Sequence, residues 1–559
     1  MTTHQARTLP EKTLKHILVG QNYISQEDWD LAENYTRDHE GTAANYLINR
    51  NIITRDLFGQ AMAEYFELPY IDFDGYSLKK EYLEVIDRKI ALEYRLVVVS
   101  CTDDAITFAT DDPKEIDFLT LLAPYVGERA ITIGYALSDA IDQALFSYRF
   151  PLDSVVATIL SKEPEDAPEV LHAIFEEAVI RRVSDIHFEP QVKDVVVRFR
   201  VDGVLEEMLH IDHLLYEIIV NRIKVSSGLR IDEHSAAQDG ALHYEMGDRA
   251  VDMRISVVPI TSGEKIVIRI LGEYVKGLAL SEIGISENNQ QVLLEAAEKP
   301  FGMILVTGPT GSGKTTTLYS LVKLLNRPGV NITTIEDPVE YKIPGVNQIQ
   351  VNEQTGLTFA KGLRSIVRQD PDVILVGEIR DAETAEIAIN AALSGHLVLS
   401  TFHSNDAATA IPRLLDMGVE PFLLASTLEL VIGQRLVRTL RQDSRISRSY
   451  NKKDFKKQYP KLAPFMDEET ITVYESSHEE NFEQSPFEGR TALFEMLTIS
   501  KDIEELTMKS PSSNDIWEQA RKEGARSMFE DGIEKLRLGV TTPGELLRVV
   551  QPSKKHGKE

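Results

Sequence analysis

The sequence predicts an α/β protein whose central domain is a mostly parallel sheet with helices on both faces. Three observations carry that expectation. Four short apolar runs, at residues 303–306, 332–335, 373–376 and 397–400, alternate with helix-compatible segments. The first run ends in a glycine-rich turn, within the stretch FGMILVTGPTGSGKTTTL at residues 301–318, where Gly308, Gly313, Lys314 and Thr315 fit G-x-x-x-x-G-K-[ST]. Each of the other runs is followed at once by charged or imidazole residues, as expected where ligands sit beyond the carboxyl ends of parallel strands.

The loop's residue types suit phosphate. Gly308, Pro309, Thr310, Gly311, Ser312 and Gly313 form a turn whose glycines let successive N–H groups point inward at phosphate oxygens. The helix N-terminus beyond adds partial positive charge. Lys314 would reach the β- and γ-phosphates, and Thr315 would place its hydroxyl on Mg²⁺. ATP and Mg²⁺ are therefore the expected ligands.

In chain order, residues 14–70 read as helical. A faint repeat with a 29-residue shift relates Leu18-Val19, Asn22 and Ile24-Ser25 to Leu47-Ile48, Asn51 and Ile53-Thr54, with Ser25 and Thr54 placed to cap following helices. Residues 1–74 are expected to form a helical docking or regulatory domain and residues 75–150 a small α/β unit, with strands at 96–101 and 105–109. The acidic, proline-bearing SKEPEDAPE at 161–169 marks a linker assigned to 151–169.

Residues 170–275 then form a domain with a leading helix, a hairpin turning at Asp202-Gly203, a helix near 214–225, and a second hairpin about Gly247-Asp248. Arg254 and Arg269 fall on its later strands. A second linker near 276–282 leads to the nucleotide domain, residues 285–559, which ends in a helical tail.

Phosphoryl transfer needs a metal, cations on the equatorial oxygens and a carboxylate to orient water. Glu378 stands where a Walker B acid belongs, but the usual first acid is Gly377. Glu340 is the candidate for the missing carboxylate. His403, after the fourth run, would sense the γ-phosphate. Each of these alone is equally a solvated loop residue; four such strand ends beside one phosphate loop are not. Arg364, Arg368, Arg380 and Arg413 suit either a γ-phosphate or a subunit interface.

At 559 residues the chain needs several domains, and 43% apolar with 26% charged residues is ordinary for a globular protein. A net charge of −28 argues against a nucleic-acid partner. One cysteine, Cys101, excludes an internal disulfide. No apolar run reaches the roughly 18 residues of a membrane span, and no signal peptide is evident. A cytoplasmic location follows, peripheral to a membrane through a partner.

Residues 184–440 resemble the secretion and pilus-assembly ATPases of the type II secretion/type IV pilus (GspE/PilB) family. The resemblance rests on GPTGSGKTTT, IEDPVEY, RQDPDVILVGEIRD and GHLVLSTFHSNDA in that order, with RFRVDGVL, QDG and AVDMRIS before them and QRLVRTL after. It implies a RecA-like ATPase domain preceded by a PAS-like domain and assembled as a homo-hexamer. It implies Glu340 as catalytic glutamate, Glu378 as Walker B acid, His396 and His403 as a His-box pair, and Arg254 and Arg269 as nucleotide-sensing arginines. Such enzymes work at the cytoplasmic face of an inner-membrane platform protein and drive pilin or pseudopilin extraction; retraction and DNA-uptake motors, or a non-hydrolysing nucleotide-gated scaffold, are the alternatives.

Two departures from the family matter. The stretch 441–486 has no cysteine, so the tetracysteine zinc module of many members is not expected. Where some N-terminal domains carry an R-L-G signature for cyclic di-GMP, this chain has Thr13-Leu14-Lys15 and Thr42-Ala43-Ala44, so that ligand is not expected.

Overall fold

The computed structural model describes residues 9–38, 42–49, 52–73, 80–113, 117–146, 148, 150–162, 166–246, 249–271, 280–442, 444–476 and 485–552. The chain divides into two compact units, residues 1–274 and 275–559.

The first unit opens with helices Glu11–Gly20, Gln26–Asp38, Ala43–Asn49 and Arg55–Tyr65. The expected caps are present: the Ser25 hydroxyl accepts from Asp28 N at 3.1 Å and that of Thr54 from Leu57 N at 3.3 Å. A three-stranded sheet follows, β1 (Leu96–Cys101) antiparallel to β2 (Ala105–Thr110), and β2 parallel to β3 (Ala130–Tyr135). The helices and this sheet are joined through main-chain bonds between Ile71 and Tyr135 at 2.8 Å and between Tyr135 and Pro69 at 2.9 Å.

Next comes a six-stranded antiparallel sheet: β4 (Asp185–Pro190), β5 (Val195–Val201), β6 (Val204–Ile211), β7 (Gln238–Met246), β8 (Arg249–Ile260) and β9 (Gly263–Leu271), in the order β6-β5-β4-β9-β8-β7. Asp202 and Gly203 both have positive φ, at 48° and 84°, which is what a two-residue primed turn between β5 and β6 demands. Met246 pairs with Arg249 at the end of the β7–β8 ladder; the expected turn residues, Gly247 and Asp248, lie outside the described residues. Alternation puts Ile186, Phe188, Val197 and Phe199 into a core with helices Ala167–Ile180 and His213–Ser226.

Both linker assignments need correction. Residues within 151–169 form a helix, Leu152–Lys162, and Leu152 and Val156 are buried in the core of the six-stranded domain. The apolar spacing Leu152, Val156, Ile159, Leu160 gives that helix a face to bury, and only 163–165 lie outside the described residues. In the second linker, Leu280–Ile283 is a 3₁₀ turn whose Leu280 and Ile283 are buried in a core of the second unit; residues 272–279 are outside the described ones.

The second unit is built on a seven-stranded sheet. Its strands are β10 (Gly302–Thr307), β11 (Ile332–Glu336), β12 (Asn347–Gln350), β13 (Val373–Val376), β14 (Leu397–Phe402), β15 (Leu428–Leu440) and β18 (Phe487–Thr498), in the order β12-β11-β13-β14-β10-β15-β18. All pairings are parallel except β15 with β18. The four apolar runs are continuous because these strands are covered on both faces: Met303 and Leu305 join one core, Ile304 and Val306 the other. Helix Lys314–Leu325 covers the second face and helices Phe359–Ile366 and Ala382–Leu393 the first. Between β15 and β18, β16 (Arg445–Asn451) and β17 (Thr470–Ser476) form a two-stranded ribbon with helix Lys452–Gln458. No helix among the described residues is long and apolar enough to cross a membrane.

Candidate active site

Parallel register aligns the carboxyl ends of the central strands. Thr307 lies beside Phe402 on one side and Gly433 on the other, while Val376 lies beside Ile335 and Ser400. The segments beginning at Gly308, Asp337, Gly377 and His403 therefore emerge at one end of the sheet, beside Gln434 of β15, which runs on past them.

Gly308, Gly311 and Gly313 have φ of 152°, 79° and 84°. A Cβ on Gly308 would meet Ser312 Oγ at 2.5 Å and Gln434 O at 2.6 Å, and one on Gly313 would meet Gln434 Nε2 at 2.8 Å. The loop is thus tight against β15 as well as left-handed, and glycine is required on both counts. Thr317 donates to Gln434 Oε1 at 2.8 Å, fixing the glutamine beneath the loop. Gln434 is 1% exposed. It falls within QRLVRTL, but nothing in the sequence distinguishes it from an ordinary strand residue.

Lys314 Nζ donates to Gly308 O at 2.9 Å and Pro309 O at 3.1 Å, folding over the loop. Burial lowers its pKa from the ordinary lysine value; Glu378 opposes that and Arg435 adds to it. Ser312 Oγ is buried and has no hydrogen-bond partner among the described residues. A buried hydroxyl in a glycine turn at a helix N-terminus, with a partly desolvated ammonium beside it, fits a polyanion. The Thr315 hydroxyl and the Glu378 carboxylate are the hard oxygen donors that suit Mg²⁺.

Glu378, with a side chain only 15% exposed, is held from two sides. Arg380 Nη2 donates to Oε1, and His403 Nε2 lies 3.0 Å from Oε2. Burial raises its pKa, but Arg380 and His403 outweigh that and hold it below the ordinary carboxylate value. Arg380 also donates to Asp337 Oδ2 at 3.3 Å, and Arg413 Nη1 donates to His403 O. Asp337, Arg380, Glu378, His403 and Arg413 thus form one chain of polar contacts across three strand ends. Arg380 and Arg413 belong to it; Arg364 instead pairs with Glu383 at 2.6 Å, and Arg368 caps Arg364 O at 2.7 Å.

The two histidines of the expected pair are separated. His403 follows the carboxyl end of β14, whereas His396 precedes its amino end, with Nδ1 2.8 Å from Ala391 O. Six strand residues put them about 20 Å apart, and only His403 reaches the site. Glu340 lies exposed on the loop after β11, its N–H donating to Tyr319 Oη at 3.3 Å.

In the first unit, Arg254 and Arg269 are direct cross-strand partners, and Arg269 and Arg200 both oppose Asp185. Opposed residues share a face, so Arg200, Asp185, Arg269 and Arg254 form a row across four strands. Arg269 Nε lies 3.0 Å from Asp185 Oδ1 and Arg200 Nε 3.6 Å from Oδ2, yet the Arg269 side chain remains 59% exposed.

Phosphate binding by the loop, with carboxylates at the neighbouring strand ends, is the chemistry of nucleoside triphosphate hydrolysis; fold and site together define a P-loop NTPase. The family model for Type II/IV secretion system proteins matches residues 161–548, and an MshEN domain model matches residues 66–149. The chain belongs to the Type II/IV secretion system protein family, and it is an ATPase. It is 33% identical over 576 residues to the type IV pilus assembly ATPase PilB of Myxococcus xanthus, covering 97% of this chain and 99% of that one. It is 43% identical over 389 residues to the type II secretion system protein E of Aeromonas hydrophila, covering 69% and 76%. Among solved structures, the ATPase DotB of Legionella pneumophila shares the fold, with a TM-score of 0.50 and 20% identity over 68% of this chain and 94% of that one.

Proposed function

We propose that this ATPase drives type IV pilus assembly, working as a homo-hexamer at the cytoplasmic face of the inner membrane and held there by a platform protein. The observation that carries the choice is coverage. The relative named for pilus assembly matches 97% of the chain, N-terminal helices included, whereas the type II secretion relative matches 69%. Pseudopilus assembly in type II secretion is the second reading, favoured by the higher identity over the shared region. The ATPase domain is taken as RecA-like and the six-stranded domain as PAS-like. Neither nucleic acid nor cyclic di-GMP is a partner in this reading.

Within the site, Lys314 and the loop would bind the β- and γ-phosphates, and Thr315 and Glu378 would hold Mg²⁺. Bound metal supplies charge neutralisation for the leaving phosphate. Beside Glu378, His403 would sense the γ-phosphate. Glu340 orients the attacking water. Arg254 and Arg269, adjacent guanidiniums on one strand pair, clamp the γ-phosphate and release it on hydrolysis.

Gene deletion complemented with the parent, Lys314→Ala or Glu340→Gln tests the reading. Only the parent should restore surface pili. Lys314→Ala should bind ATP weakly, and Glu340→Gln should bind it without turnover. Pili in the deletion strain, with a secretion defect instead, would favour the second reading; parental turnover by Glu340→Gln would remove Glu340 from its role.

A further inference from the structure

Tyr319 lies on the helix that begins with Lys314, about 7.5 Å further along its axis at the usual helical rise. Its ring is fully buried and meets Tyr341 edge-on at 4.7 Å between centroids. Its hydroxyl donates to Glu336 Oε2. Glu336, 2% exposed, also accepts from Thr334 Oγ1 at 2.5 Å and Gln348 Nε2 at 3.3 Å. A buried carboxylate is costly unless every donor is in place, so Glu336 fixes where the single Tyr319 hydroxyl hydrogen points. The lone pairs are left facing the other way, and one accepts the Glu340 N–H at 3.3 Å.

We propose that Tyr319 is a positioning residue for Glu340, oriented by the buried Glu336, so that the phosphate-binding helix and the water-orienting carboxylate hold a fixed distance. This rests on the reading of Glu340 as the residue that orients water. The sequence offers no sign of it: Tyr319 reads as one more apolar position of a buried helix, and Glu336 as one acid of an acidic stretch.

The geometry gives the device its logic. Lys314 grips the phosphates at the helix start, and Tyr319 carries that position, through one hydroxyl, to the main chain of the residue that places the water. A misplacement of about 1 Å at such a residue costs up to a hundredfold in rate. The phosphate grip itself does not involve Tyr319, so nucleotide affinity is not at stake.

The test uses the full chain. Tyr319→Phe keeps the ring and its packing and removes only the hydroxyl. It should lower kcat about tenfold or more, leave KM for ATP and ATP affinity unchanged, and accelerate hydrogen exchange of the Glu340 amide, which loses its acceptor. Glu336→Gln, whose amide oxygen still accepts from Tyr319, should retain more turnover than Glu336→Leu. Parental kcat in Tyr319→Phe, or a fall in kcat matched by an equal loss of ATP affinity, overturns the proposal while a dead Glu340→Gln leaves the reading of Glu340 intact. Turnover by Glu340→Gln at the parental rate removes that reading and the proposal with it.

Discussion

His403 Nε2 sits 3.0 Å from Glu378 Oε2, across the junction between two adjacent parallel strands. A histidine six residues beyond the start of β14 is thereby tied to the carboxylate that follows β13, and Arg413 holds the same histidine by its carbonyl. Glu378 is held between an arginine and a histidine rather than left to solvent.

That contact should be measurable. His403→Ala should lower kcat by about tenfold while ATP affinity measured without Mg²⁺ stays at the parental level, because the phosphate loop does not depend on it. His403→Gln, which keeps a donor, should recover part of the loss. Equal turnover in His403→Ala and the parent would show that the histidine is a bystander.

Glu495 predicts a pH dependence. It is buried on β18 opposite Gly433, accepts from Ala407 N at 3.0 Å, and has its pKa pushed up to about 7, chiefly by burial, with Asp406 raising it and Arg435 lowering it. The folded state therefore binds a proton that the unfolded state has released above about pH 4.5. Stability from this group is fullest below that value and is lost as pH rises through 7, by on the order of 3 kcal/mol. Glu495→Gln should therefore gain Tm relative to the parent between pH 5 and pH 8. A difference in Tm that does not change with pH would refute the assignment.

The segment 441–486 should be stable without metal. Phe455 is fully buried with Leu462, Met466, Val473, Phe529 and Ile533, and Tyr450 and Tyr459 both donate to Glu475 Oε1, at 3.0 and 2.6 Å. Phe455→Ala should cost about 3–5 kcal/mol, read by denaturant unfolding. Chelation should abolish turnover through Mg²⁺ yet leave the Tm of the nucleotide-free protein unchanged. One zinc per chain by elemental analysis would contradict this and direct attention to His478, which lies outside the described residues.

The arginine row tests the clamp. Arg254→Ala should cut turnover by about a thousandfold, the scale of other arginine fingers, without disturbing assembly measured by light scattering. Mixed assemblies of Arg254→Ala and Lys314→Ala subunits should stay inactive if each arginine serves its own chain's ATP. Recovery of part of the activity on mixing would show action across subunits instead.

The sequence by itself determined the nucleotide domain's class and its ligand. The four apolar runs become β10, β11, β13 and β14 because parallel strands covered on both faces need unbroken apolar side chains, and that is a local pattern. The phosphate loop was legible because φ values of 152°, 79° and 84° select glycine at fixed positions. Caps at Ser25 and Thr54 and the turn at Asp202-Gly203 were legible for the same reason, being set within a few residues of chain.

Tertiary structure decided which charged groups meet. Their place just past an apolar run sets Arg380 and His403 apart from Arg364 and His396, but nothing local pairs them with Glu378; strand register does that and leaves the other two elsewhere. Gln434, Tyr319 and Glu336 were invisible because their roles arise from contacts 117, 21 and 17 residues away in sequence. The acidic linker at 151–169 was misread because composition outweighed the apolar face of Leu152–Lys162, whose burial depends on a sheet that follows it in the chain. Backbone conformation is written in neighbouring residues; the pairing of polar side chains depends on which strands lie side by side, and only the closed sheet specifies that.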